Sequence, residues 1–437
     1  GNKSMHKIYL SIACLFISVT LAAQDNRIDI VRPDAPELAS FGAYDIGVRT
    51  LEFVDQDRVD VLNTARGGET AYYARSLVVE IWYPAQLGAE QTAGGQYQTT
   101  TRNPAITATL NGKAVRDAEP NISDARYPLV ILSHGYPGNR YLMSPLGENL
   151  ASKGYVVASI DHSESTYEDQ QAFPSTLYNR PLDQRFVLDT LANLAEDSSS
   201  FLNGLLDANS TGIVGYSMGG YGLVNNLGGG YSDEVVSSIM APVNGLLKEH
   251  ATGNPEYRDM LDPRIKAGFA VAPWGMNTGF WRAEDLAGIN VPTFYLAGDT
   301  DTTAGYEEGT RAIFENAVNS DRYLLTFKSA GHSAGAPYPL PVEIINSGDP
   351  TGAGHYTDPV WDTVRMNNIM DHFATAYFDH MLKNKEGRIS YLQLVPDGAD
   401  GVYSVKNGQP NDDHTYWKGF GPGEAVGLKL EHLSPGQ

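Results

Sequence analysis

The sequence predicts an α/β protein, with a mostly parallel central sheet of about eight strands flanked by helices. Apolar runs recur along the chain, each bounded by turn residues. Most are continuously apolar and rich in β-branched residues, the pattern of strands buried on both faces. Stretches with helical spacing separate the later runs, and alternating β and α segments build a parallel sheet wrapped by helices.

The first run, "YDIGVRTLEFVD" (44–55), is placed to pair with the next, "SLVVEIWYPA" (76–85). "YPLVILSHG" (127–135) and "YVVASIDH" (155–162) follow, with the helical stretch 142–154 between them closed by Gly154. A helix is expected over 182–196, where Leu182, Phe186, Val187, Leu191 and Leu194 form an apolar stripe. The remaining strands are "TGIVGYS" (211–217), "IKAGFAVAPW" (265–274), "VPTFYLAG" (291–298) and "RYLLTFKSAGH" (322–332). Helices are expected over 305–318 and 366–384.

Composition narrows the function. The chain has 437 residues, 31 basic and 52 acidic, for a net charge of −21. That excludes a nucleic-acid binder, which needs clustered Lys and Arg on phosphates, and it argues against docking on anionic lipid. Hydrophobic residues make up 42%, ample for a core. Residues 5–23 have the layout of a signal peptide: Met5, a weakly basic start at His6 and Lys7, an apolar stretch, then Ala22 and Ala23. The stretch is too short for a comfortable membrane span, so an exported protein is expected, periplasmic or extracellular. Gly1 to Ser4 precede Met5 and read as a cloning remnant. The single cysteine, Cys14, lies in this segment, so the processed chain would hold no disulfide and no thiolate metal site. One α/β domain is expected over 24–384, with insertions at 86–126, 229–263 and 333–362. A Gly- and Pro-punctuated extension, 385–437, packs on it. The 229–263 insertion reads as a lid or an outer wrap.

The sharpest signal is "GIVGYSMGGYG" (212–222), which holds Gly215-x-Ser217-x-Gly219 between an apolar strand and a helix-capable stretch. This is a nucleophile elbow: the glycines permit a tight strand-to-helix turn that carries the serine at its tip. A serine hydroxyl needs a general base, and the base needs an orienting acid. In folds with such an elbow the order along the chain is serine, acid, histidine. His332 closes the last strong strand and is the candidate base; His355, deep in an irregular insertion, is its rival. His372 and His380 lie on the last long helix as surface or packing residues, and His250, His414 and His432 lack a strand context. Two backbone donors must hold the oxyanion. Met218, directly after the serine, supplies one. Tyr136, in the loop after "LVILSHG", supplies the other and is a candidate pocket wall. His134 precedes Ser217 and reads as structural.

These stretches resemble the α/β-hydrolase superfamily. More narrowly, the chain is similar to a bacterial predicted dienelactone hydrolase group related to platelet-activating factor acetylhydrolase. "SHGYPGN", "RPLDQRFVLD", "GYSMGG", "AGDTD" and "SAGH" carry the resemblance, between about 127 and 384. It implies hydrolysis of carboxylic esters without a cofactor. One departure matters. Relatives of the acetylhydrolase type place the catalytic acid soon after the strand that follows the elbow, where this chain has Ala272 in "AVAPWG". The acid must then come one strand later, from the Asp299/Asp301 turn. The resemblance to dienelactone hydrolases and cutinase-like polyesterases implies a Gly-x-x-Asp pattern, which Gly298 to Asp301 fit with Asp301 as the acid and Asp299 bracing the turn. A calcium loop would need more oxygen ligands at fixed spacing than this turn offers, so no metal is expected.

The expected enzyme is a serine carboxylic ester hydrolase on acyl, aryl or lipid-like esters. Polyester hydrolysis, amide or peptide hydrolysis on the same triad, and an idle binding protein on a hydrolase scaffold stand as alternatives. Trp274, Phe280 and Trp281 follow a strand end and are tentative pocket residues.

Overall fold

The computed structural model describes residues 24–437. The signal-peptide segment 5–23, with Cys14 and the four residues before it, lies outside the described residues.

Nine longer strands build the central sheet: β1 (Asp45–Val59), β2 (Tyr72–Gln86), β3 (Tyr127–Ser133), β4 (Val156–Ile160), β5 (Leu206–Tyr216), β6 (Ile265–Val271), β7 (Thr293–Gly298), β8 (Arg322–Phe327) and β9 (Leu428–Leu433). Their order is β9-β8-β7-β6-β5-β3-β4-β2-β1. The two-residue strands Val115–Arg116 and Glu119–Pro120 pair with β1 and β2 and bring the sheet to eleven, beyond the eight expected. The six strands from β4 to β8 are parallel, whereas β1, β2 and β9 make antiparallel pairs. Buried residues run unbroken through β3, β4, β6 or most of it, β7 and β8, which is why these strands read as continuous apolar runs. The extension 385–437 contributes β9 as an edge strand and sends Trp417 and Phe420 onto the core.

Four helices cover the sheet: α1 (Ser144–Ala151), α2 (Phe173–Ala195), α3 (Met218–Leu227) and α4 (Thr363–Lys383). α1 and α4 share one core cluster on one face, and α2 and α3 share the other. Phe269 of β6 stacks on Phe294 of β7 at 4.7 Å, with Tyr377 and Phe378 of α4 against them. α2 begins nine residues before its expected start and carries Pro181 in its interior. A proline normally ends a helix by removing one backbone donor. Here the side chains on either side, Arg180, Asp183 and Gln184, are fully buried in polar contacts that hold the helix through it. The helix expected over 305–318 is broken by Gly309, with φ −116° and ψ −113°, so only Arg311–Asn316 is regular α-helix.

Candidate active site

The first element of the site is the turn between β5 and α3. Ser217 sits there at φ 53° and ψ −109°, a strained conformation for a residue with a side chain. It is tied down on both sides: its N–H donates to Val271 O at 2.9 Å, and its carbonyl accepts from Tyr221 N–H at 2.9 Å and Trp274 N–H at 3.1 Å. The glycines are required by close approach. A Cβ on Gly219 would stand 2.0 Å from Ser133 O, and one on Gly215 would stand 2.3 Å from Gly219 O.

The second and third elements come from the ends of β7 and β8. His332 Nε2 lies 3.0 Å from Ser217 Oγ, and His332 Nδ1 lies 2.7 Å from Asp301 Oδ2. The Asp301 side chain is fully buried, while His332 keeps about a fifth of its side chain exposed, at 20%. Oδ1 of Asp301 accepts from Thr303 N–H at 2.8 Å and Ala304 N–H at 3.0 Å, which fixes the carboxylate plane. Tyr216 O–H holds the carbonyl of His332 at 3.1 Å. Asp299 is exposed and accepts from Ser329 N–H at 2.7 Å, so it is Asp301 whose carboxylate meets the imidazole. Ala272 occupies the end of β6 at φ 45°, its N–H donating to Leu296 O of β7.

Ser217 opens into a cavity of about 550 Å³. Gly135, Tyr136, Pro137, His332, Ser333, His355 and Asp358 are among its lining residues. Gly135 approaches the serine closely, since a Cβ there would stand 3.4 Å from Ser217 Cβ. Met218 is the first residue of α3, so its amide belongs to the helix N-terminus, where backbone donors have no partner within the helix. The 333–362 insertion thus covers the site. None of the cavity-lining residues comes from 229–263, whose Asn244 instead bonds the 65–68 loop. That insertion is an outer wrap.

The three tentative aromatic pocket residues Trp274, Phe280 and Trp281 lie off the cavity lining. Phe280 and Trp281 are 0% and 3% exposed and line no part of the cavity. They pack with Tyr221 and Tyr231 behind α3, and Trp281 Nε1–H donates to Gly229 O at 2.8 Å. An aromatic strand-end segment buries area as readily in the core as in a pocket, and here the core has it. Trp274 is half-buried and also lies off the cavity lining; it meets Phe173 edge-on at 5.2 Å, and Phe173 meets Tyr136 at 5.1 Å. These three half-buried rings pack in a row, of which only Tyr136 lines the cavity. His355 does not approach Ser217 by hydrogen bond; its Nε2 meets Tyr167 O–H at 3.0 Å. Burial, with Arg102 and His332 adding, holds its imidazole well below the usual range.

A second Ser–His–Asp chain lies beneath the first, and the sequence reading missed it. Ser133 Oγ is 2.7 Å from His162 Nε2, and His162 Nδ1 is 2.9 Å from Asp183 Oδ2. All three are buried, at 0 to 1% exposure, and they reach no cavity. Against the upward push of burial, Arg75 and Arg58 hold the Asp183 carboxyl well below its usual range. Burial and Arg180 hold His162 down at about 3, so it is neutral. Around this chain Gln184 donates to Ser133 Oγ and to Gly219 O, both at 2.9 Å, and Arg180 donates to the carbonyls of His134 and Gly135. His134 accepts from His162 N–H at 3.0 Å and is structural in this sense. The network therefore fastens the loop before Tyr136 to the elbow. Its signal was present in "RPLDQ", whose polar residues Arg180, Asp183 and Gln184 are fully buried on α2.

A parallel sheet in this order, an elbow after β5 and side chains from the ends of β7 and β8 decide the architecture. The chain has the α/β-hydrolase fold. A family model described as platelet-activating factor acetylhydrolase, isoform II, matches residues 73–184. Among curated proteins the chain is 26% identical to cutinase est1 of Thermobifida alba over 209 residues, 48% of this chain and 54% of that protein. It is 37% identical to platelet-activating factor acetylhydrolase of Bos taurus over 97 residues, 19% of this chain and 22% of that one. The chain thus spans about half the length of the cutinases it matches. A solved ferulic acid esterase from Streptomyces cinnamoneus superposes with a TM-score of 0.52 at 21% identity, covering 83% of this chain and 94% of that chain. Among the described residues no helix is long and apolar enough to cross a membrane.

Proposed function

We propose that this α/β hydrolase is a serine carboxylic ester hydrolase, exported from the cell and working through Ser217, His332 and Asp301. The observation that carries the reading is the unbroken chain Ser217 Oγ–His332 Nε2–His332 Nδ1–Asp301 Oδ2 at the floor of a cavity. The cutinase, acetylhydrolase and ferulic acid esterase likenesses support an ester as substrate.

The steps follow from the geometry. His332 Nε2 takes the Ser217 proton as Oγ bonds to the carbonyl carbon. The amides of Met218 and Tyr136 hold the oxyanion, each worth about 3 kcal/mol of barrier. The carbon–oxygen bond to the alcohol breaks, and the alcohol leaves with the proton from His332. Water then attacks the acyl-enzyme, His332 again takes a proton, and Ser217 recovers it as the acid departs. Asp301 keeps the proton on Nδ1 and balances the imidazolium. No step calls for a cofactor.

The test is hydrolysis of short p-nitrophenyl esters by the wild type and Ser217→Ala. The wild type should turn over and the variant should fall to background; equal rates would overturn the reading. A matched anilide run alongside separates ester from amide hydrolysis. The cutinase likeness favours a polyester as a second substrate, checked by release of soluble monomer from an aliphatic polyester film.

A further inference from the structure

The cavity over Ser217 holds one cationic side chain, Arg102, contributed by the 86–126 insertion. The chain has 52 acidic residues against 31 basic ones, yet among the described residues Arg102 makes no ion pair. Its backbone N–H donates to Tyr356 O–H at 2.8 Å, and its Nη1 donates to Pro137 O at 3.2 Å. Gly352 packs against its stem, where a Cβ would stand 2.9 Å from Arg102 Cβ. The side chain is thus held by two insertions and by the loop next to the serine. Its Nε and Nη2 donors have no protein acceptor among the described residues. The one carboxylate in the cavity lining, Asp358, is already occupied: Oδ1 accepts from Gly331 N–H at 2.7 Å and Oδ2 from Val360 and Trp361 N–H at 2.9 Å each.

The direction of the chemistry says which half of an ester would meet this cation. The leaving alcohol must take its proton from His332 Nε2, so it departs past the imidazole, into the cavity that His332 and Arg102 both line. We propose that the substrate is an ester whose alcohol half carries a carboxylate, bound by the free edge of the Arg102 guanidinium. A planar fork with two unused donors is the geometry that a carboxylate fills bidentately. This reading rests on the ester hydrolase assignment above and adds the charge of the substrate to it.

The test compares two butyrate esters on one frame, 4-carboxyphenyl butyrate and the neutral 4-carbamoylphenyl butyrate. Wild type, Arg102→Gln and Arg102→Lys are measured on both at pH 7.5. Arg102→Gln should lower kcat/KM on the carboxylate ester by roughly 10- to 100-fold more than on the amide, mostly through KM, as a lost charge-assisted hydrogen bond does. Arg102→Lys should recover part of the difference. Equal losses on the two esters would overturn the proposal and leave Arg102 as a brace for the Pro137 loop. A second measurement needs no variant. 4-Hydroxybenzoate should inhibit the wild type competitively and more tightly than 4-hydroxybenzamide; equal inhibition refutes it. If the wild type hydrolyses neither ester, the ester hydrolase assignment itself falls.

Discussion

Replacing Asp301 by Asn tests the orienting role, and the local hydrogen bonds set the expected outcome. Asp301 uses its two oxygens differently: Oδ1 accepts from the Thr303 and Ala304 amides, and Oδ2 accepts from His332 Nδ1–H. An asparagine in the same place has one acceptor oxygen. Two backbone donors fix that oxygen in the Oδ1 position, since turning it away would leave both buried amides facing an NH₂ group. The amide nitrogen must then stand at 2.7 Å from His332 Nδ1 and donate to it. That forces the imidazole proton onto Nε2, the nitrogen that has to accept the Ser217 proton. Wrong-tautomer variants of this kind lose about 10⁴-fold in kcat, or about 5.5 kcal/mol of barrier. KM should change little, because the carboxylate touches no part of the cavity. Asp299→Asn is the control on the same turn. Asp299 is exposed and holds Ser329 N–H, so its loss should cost under about 1 kcal/mol of stability and leave kcat near wild type. The assay is steady-state hydrolysis of p-nitrophenyl butyrate, with urea unfolding on the same preparations. An Asp301→Asn variant within tenfold of wild type refutes the argument, as does a collapse of kcat in Asp299→Asn.

Burial separates two of the corrected aromatic residues. Trp281→Ala should cost about 3–5 kcal/mol in urea unfolding, as a buried ring leaving a cavity does, whereas Trp274→Ala, at a half-buried ring off the cavity, should cost less and leave KM near wild type. Gly219→Ala places a Cβ 2.0 Å from Ser133 O, and the shift this forces on the elbow should lower kcat by about 10²-fold; an active variant would mean the elbow has room it does not show. Glu148 predicts a pH dependence. Burial pushes its carboxyl up to about 7 from 4.5, against donors from Lys113 N–H and Tyr97 O–H. The folded state then binds the proton more tightly than the unfolded one. Stability from this group is present below about pH 4.5 and falls as pH rises through 7, by about 3 kcal/mol in all. Glu148→Gln should flatten that part of the stability–pH curve, and an unchanged slope would assign it elsewhere.

How much the sequence revealed depended on how local each cue was. The parallel strands were legible because they are buried on both faces and so are apolar throughout. Ser217, Asp301 and His332 were legible because each stands at the end of such a strand, and the structure brings their side chains into hydrogen-bond range. The pocket was not. Phe280 and Trp281 differ from true cavity residues only in which way the chain turns after β6, and no periodicity encodes that turn. Arg102 and the 352–359 segment reach the cavity from irregular insertions far apart in sequence, so only their meeting in space gives them meaning.

The two Ser–His–Asp chains sharpen what a triad is. Ser133, His162 and Asp183 match Ser217, His332 and Asp301 in atom pairing and in distance. What separates them is access and freedom to change charge. Ser133 is sealed, its hydroxyl already bonded by Gln184, and its histidine is held neutral near Arg180, so an imidazolium there would be opposed by burial and by a neighbouring cation. His332 keeps a fifth of its side chain exposed and faces a buried carboxylate. Nucleophilic catalysis needs a histidine that can become cationic for one step, so only the outer chain has the electrostatics for it. The inner chain is better matched to a fixed task. Through Arg180 and Gln184 it joins the carbonyls of His134 and Gly135 to that of Gly219, on the two loops that carry the amides of the proposed oxyanion hole, Tyr136 and Met218.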